Sequence, residues 1–162
     1  MQRLAAGMLL AIAFAMPASV ARAERVRLET DAPNGGRIQA TVMKPFDVYL
    51  VAERDSVTAK ISSVAYTLDV PEGVVVLGEE LLVESLIGLG SSRTGMNLVF
   101  RCVEKPRVRV LHFRFVATRP VQNAVLALRP ETKTNFLGLC ACRDENFDKF
   151  ASPPDSILVG AR

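Results

Sequence analysis

The chain has 162 residues, 20 basic against 17 acidic, with nine prolines, three cysteines, one histidine and no tryptophan. That length suits one domain with a substantial core once any leader is removed. With no basic block and no aromatic-spaced basic stripe, it gives no footing for nucleic acid.

Residues 1–23 form an address rather than part of a fold. Arg3 supplies a positive start, Leu4 to Met16 is almost unbroken apolar sequence, Pro17 breaks it, and Ala21-Arg22-Ala23 has the small-x-small form of a cleavage site. This is the pattern of a secretory signal peptide, too short to span a bilayer. Cleavage after Ala23 is expected, leaving residues 24–162 as a single β-sandwich domain. Losing Arg3 and Arg22 leaves 18 basic against 17 acidic residues, so the mature chain is near neutral. The expected destination is secreted or periplasmic.

Beyond the leader, hydrophobicity alternates with a period of two. Phe46-Val48-Leu50 opens the series, and Ser62-Val64-Tyr66-Leu68-Val70 follows, ended by the turn signal Pro71-Glu72-Gly73 before Val74-Val75-Val76-Leu77. Glu79 to Ile87 is compatible with either a helical turn carrying Leu82, Leu86 and Leu89 or another strand. Met96-Leu98-Phe100-Cys102 alternates next. In the following run Arg109, Leu111, Phe113, Phe115 and Ala117 are expected on one face, with Val108, Val110, His112, Arg114 and Val116 on the other. Ala124–Leu128 and Phe136–Leu139 are further short runs. The C-terminal Ile157-Leu158-Val159, after Pro153-Pro154, is expected to add an edge strand, with strand addition to another subunit as the alternative. The breaks carry turn chemistry, Pro33-Asn34-Gly35-Gly36 most clearly. Many short strands at nearly regular spacing predict an all-β sandwich. Val64, Tyr66, Leu68, Met96, Leu98, Phe100, Leu111, Phe113 and Phe115 are the expected inner-face residues.

In an oxidising compartment the three cysteines are expected to give one disulfide and one thiol. Cys140 and Cys142 are too close in sequence to bridge without strain, so Cys102 should pair with one of them. Cys142, at the polar exit of its strand, is the preferred partner and Cys140 the alternative. A bridge from Cys102 to Cys142 closes a loop worth about 3–4 kcal/mol in the chain-entropy view. Zinc needs about four ligands that this chain does not supply.

The block Phe46-Asp47-Val48-Tyr49-Leu50-Val51, then Ser63-Val64-Ala65-Tyr66-Thr67-Leu68-Asp69-Val70-Pro71, Gly73-Val74-Val75-Val76-Leu77 and Val110-Leu111-His112-Phe113-Arg114-Phe115-Val116 resembles cohesin-like modules of extracellular bacterial proteins. The resemblance covers about residues 40–130. It implies a jelly-roll-like sandwich of about nine strands used for binding rather than catalysis. The chain departs from that pattern in its cysteine pair, and it carries no dockerin-like duplicated calcium loop.

No residue set stands out as catalytic. Any Ser–His or Cys–His mechanism would have to use His112, and no motif places a nucleophile beside it. Asp47, Glu53, Asp55, Glu79, Glu80 and Glu84 qualify as acid–base candidates by type alone. Arg143–Asp148 gathers oxygen ligands, but its spacing does not match an EF-hand loop, so a solvated loop is expected over a calcium site. Gly88-Leu89-Gly90 lacks the third glycine and the strand–helix context of a phosphate loop. The expectation is therefore a secreted, non-catalytic binding or structural module with a protein or carbohydrate partner and no cofactor. The alternatives are a carboxylate-dependent hydrolase on the same scaffold and a subunit of an envelope assembly.

Overall fold

The computed structural model describes residues 24–31, 36–55, 60–142 and 149–161. The expected leader and the Arg143–Asp148 loop lie outside these residues, as does most of the Pro33–Gly36 turn.

Among the described residues every regular element is a strand: β1 (Arg25–Glu29), β2 (Arg37–Ala40), β3 (Pro45–Glu53), β4 (Ile61–Asp69), β5 (Val74–Leu81), β6 (Ser85–Ser91), β7 (Gly95–Val103), β8 (Arg107–Ala117), β9 (Val121–Arg129), β10 (Gly138–Ala141), β11 (Lys149–Ala151) and β12 (Ser156–Ala161). Among the described residues there are twelve strands where about nine were expected, because short β1, β2 and β11 join those that the alternation shows.

They form two sheets. The smaller runs β1-β3-β8-β5, all antiparallel. In the larger, β6 pairs with β7 and β7 with β4, while the other edge of β4 is shared. Its first half pairs with β10 and its last residues with β9. β9 then continues to β12 and β2, and β10 to β11. The C-terminal strand is thus not an edge strand: β12 lies between β9, antiparallel, and β2, parallel.

Apolar side chains from the two inner faces meet between the sheets, as sandwich packing requires. Of the nine residues expected there, eight are buried and Met96 packs half-buried against them. Aromatic rings join the layers. Tyr66 of β4 meets Phe113 of β8 edge-on, with centroids 6.5 Å apart, and Phe113 lies 5.9 Å from Phe115. Each such ring removes a large apolar area from water, and the edge-on geometry adds a favourable quadrupole contact.

One departure from strict alternation shapes the rest of the molecule. Val108 and Val110 are buried, and so are Leu111, Phe113 and Phe115. The register against β3 slips here: Leu50 faces Leu111, but Val51 faces Arg109, so β8 carries one extra residue. Such a bulge reverses which face the following residues take. The expectation that Arg109 shares a face with Leu111 is therefore corrected. Arg109 points outward with His112.

The Glu79–Ile87 stretch is strand. β5 runs to Leu81 and β6 begins at Ser85, leaving Leu82, Leu86 and Leu89 exposed rather than stacked as a helical stripe. Gly90 closes the hairpin that pairs β6 with β7. It takes φ +93° in the β6–β7 hairpin, and a Cβ there would lie 1.9 Å from the Gly95 carbonyl oxygen. Only glycine fits that approach.

Cys102 is bonded to Cys142, and Cys140 is a free, half-buried thiol. The bridge joins the end of β7 to the residue after β10. These two strands flank the start of β4, where Ile61 faces Val103 on one side and Ala141 on the other.

Candidate functional site

The outer face of the small sheet concentrates polar and aromatic groups. Alternation directs Asp47 and Tyr49 of β3 outward, because Val48 and Leu50 face the core. The bulge in β8 directs Arg109, His112 and Arg114 to the same side. Cross-strand register then sets Tyr49 against His112, His112 against Glu80 and Asp47 against Arg114.

Tyr49 is the centre of a stack. Its ring lies 4.9 Å from the imidazole of His112, nearly parallel, and the Arg109 guanidinium lies 4.0 Å from its centroid. A guanidinium over a ring face is held by the ring's quadrupole. Arg109 Nη2 also donates to Asp31 Oδ1 at 2.8 Å. Hydrogen bonds from Arg109 and then from Tyr49 hold the Asp31 carboxyl below its ordinary range. Burial, followed by the bond to Asp31, raises the Tyr49 phenol.

His112 sits between two carboxylates. Its Nε2 lies 2.7 Å from Asp47 Oδ1, and its Nδ1 lies 3.4 Å from Glu80 Oε2. An ionised carboxylate only accepts, so Nε2 carries a hydrogen. Arg114 approaches the same Asp47 oxygen at 3.5 Å. Further along the face, Arg27 bridges Glu29 at 2.6 Å and Glu53 at 3.2 Å, and Arg107 also holds Glu29. The face is a lattice of opposite charges around one aromatic stack.

The remaining acid–base candidates are dispersed. Glu53 pairs with Arg27, Glu84 with Arg101, and Glu79 accepts a bond from Ser92. Only Asp47 and Glu80 come together, around His112, where each faces an imidazole nitrogen on an open sheet face. A groove of about 960 Å³ where β2 and β12 end and β9 begins is lined by groups such as Arg37, Gln39, Gln122 and Asn123, with no carboxylate among its lining residues. Among the described residues, no group of three or more His, Cys, Asp or Glu is placed to hold a metal ion. Sequence reasoning named Asp47, Glu80 and His112 singly but missed Tyr49 and Arg109. Pairing β3 with β8 would have united His112 with Tyr49, but the bulge hides Arg109.

No protein-family model matches the chain. No curated protein matches it either. Solved structures do. The cohesin module of a family 33 glycoside hydrolase from Clostridium perfringens superposes with a TM-score of 0.58 at 13% identity, covering 87% of this chain and 99% of that one. The seventh ScaB type I cohesin of Pseudobacteroides cellulosolvens gives 0.57 at 13% identity, covering 86% and 94%. A cohesin–dockerin complex from Clostridium thermocellum gives 0.55 at 9% identity, covering 86% and 95%. Likeness at such low identity lies in the backbone: the chain has a cohesin-like β-sandwich fold.

Proposed function

We propose that this protein is an exported, non-catalytic binding module that receives a protein partner on the outer face of its small sheet, in the cell envelope or outside the cell. The observation that carries this reading is the Arg109–Tyr49–His112 stack, a partly exposed cluster of the residue types that dominate binding energy at protein interfaces. The surrounding charges of alternating sign favour one orientation of one partner over others. The fold supports the reading, since among its structural relatives is a cohesin solved in complex with a dockerin. The apolar leader at residues 1–23 supports export.

The test is capture from the envelope and secreted fractions of the source cells on immobilised protein, run in parallel with Tyr49→Ala and Arg109→Ala. A protein retained by the wild type and lost from both variants supports the reading. Retention by both variants, or recovery of a glycan alone, overturns it.

A further inference from the structure

The large sheet ends at β6. This strand pairs with β7, and among the described residues no strand pairs with its other edge. Natural sheets blunt such edges with charge, proline or a covering element, because an open row of backbone donors and acceptors is a template for another strand. β6 reads Ser-Leu-Ile-Gly-Leu-Gly-Ser, with neither a charge nor a proline. Leu86, Ile87 and Leu89 are 60%, 53% and 63% exposed. Ile87 and Leu89 are two apart and share one face. Gly88 takes the other, where an added Cβ would lie 3.8 Å from Leu98 Cδ1.

We propose that β6 pairs antiparallel with β6 of a second copy of this chain, about a two-fold axis at Gly88, so that two large sheets continue into one. The strand is its own complement in that register. Ile87 faces Leu89 of the second copy, Leu89 faces its Ile87, and Gly88 meets Gly88. Leu86, the extra residue of a bulge against β7, falls opposite Gly90, which has no side chain to obstruct it. Apolar cross-strand pairs of this kind are the unit of sheet stabilisation, and a two-fold contact supplies each pair twice. The ends also match. Glu84 precedes β6 and Arg93 follows it, so antiparallel pairing brings the acidic entry of each strand to the basic turn of the other. The surface is separate from the small-sheet face.

Sedimentation equilibrium over a range of concentrations tests the pairing, using the purified protein and the variants Ile87→Lys and Leu89→Glu. Both positions point outward, so neither change enters the core, and circular dichroism verifies the fold. The wild type is expected to show a concentration-dependent monomer–dimer equilibrium. Each variant alone is expected to be monomeric, since each sets a charge against an apolar side chain. An equimolar mixture of the two is expected to regain dimers, because the introduced lysine then faces the introduced glutamate and the remaining Ile87–Leu89 pair is intact. Arg109→Ala is expected to dimerise like the wild type. A monomeric wild type overturns the proposal, including the case in which β6 captures a strand of another protein. So does a dimer that persists in both variants, or a mixture that stays monomeric.

Discussion

The guanidinium of Arg109 lies 4.0 Å from the centroid of the Tyr49 ring, and it does so because β8 carries one residue more than β3 across the Leu50–Val51 step. Without the bulge, Arg109 would share the inner face with Leu111. The contact joins two neighbouring strands on a half-exposed surface, so it should be measurable as a coupling. In a double-mutant cycle of Arg109→Ala and Tyr49→Ala, the pair is expected to contribute about 0.5–1 kcal/mol beyond the single changes. Urea midpoints of the four proteins provide the measurement, and purely additive losses would show that the stack contributes nothing to stability.

The disulfide holds β7 to the exit of β10 across the start of β4. Thiol titration of the denatured, unreduced protein should find one free cysteine, Cys140. Reduction, or the double change Cys102→Ser and Cys142→Ser, should lower unfolding stability by about 3–4 kcal/mol, as expected for a loop of that length. A titre of three thiols would refute the pairing.

The strands β4 and β7 were legible because large apolar residues recur at every second position and turn to the core. Val64-Tyr66-Leu68 and Leu98-Phe100 show that period directly, and all five residues are in the core. β1, β2 and β11 escaped notice because strands of three to five residues offer too few alternations. β12 was visible as an apolar run, yet its neighbours were not, since parallel pairing with β2 depends on the whole topology. The site was half legible for a related reason. His112 and Asp47 can be named from sequence, but their 2.7 Å contact follows from β3–β8 register, and Arg109 joins them only through a bulge that periodicity cannot reveal.

Glu131 gives a prediction in pH. Its carboxylate closes the turn to Phe136, accepting bonds from Lys133 N at 3.0 Å, Thr134 N at 2.8 Å and Thr134 Oγ1 at 2.7 Å. Those bonds, the Thr134 hydroxyl first, lower its pKa from 4.5 to about 2. A folded-state pKa below the unfolded one means stability that is present in full above 4.5 and lost as pH falls toward about 2. Glu131→Gln should therefore be less stable than the wild type at neutral pH, with the difference shrinking across that window. Asp31 and Glu104 are also lowered, so the comparison with the variant isolates the Glu131 contribution. Urea midpoints taken from about pH 6 to about pH 2 test it; a difference that stays constant with pH would show that the carboxylate's charge is not what the turn uses.

A buried hydroxyl relay ties the two sheets together. Tyr66 of β4 has its hydroxyl 2.8 Å from Ser92 Oγ, and Ser92 donates to Glu79 Oε2 of β5 at 2.7 Å. With its own hydrogen directed to the carboxylate, Ser92 is left to accept from Tyr66. Burial raises the phenol's pKa, so it keeps the proton it donates. Tyr66 and Ser92 are both fully buried, and an orphaned phenol there costs more than a phenol that is absent. Ser92→Ala should destabilise by about 1–3 kcal/mol, and Tyr66→Phe by about 1 kcal/mol, because Ser92 retains Glu79. The double variant should then be no less stable than Ser92→Ala alone, since removing the tyrosine oxygen removes the unpaired group that the serine change creates. Denaturant midpoints of the three variants decide the matter. A double variant that loses the sum of both single changes would mean that the two hydroxyls act independently.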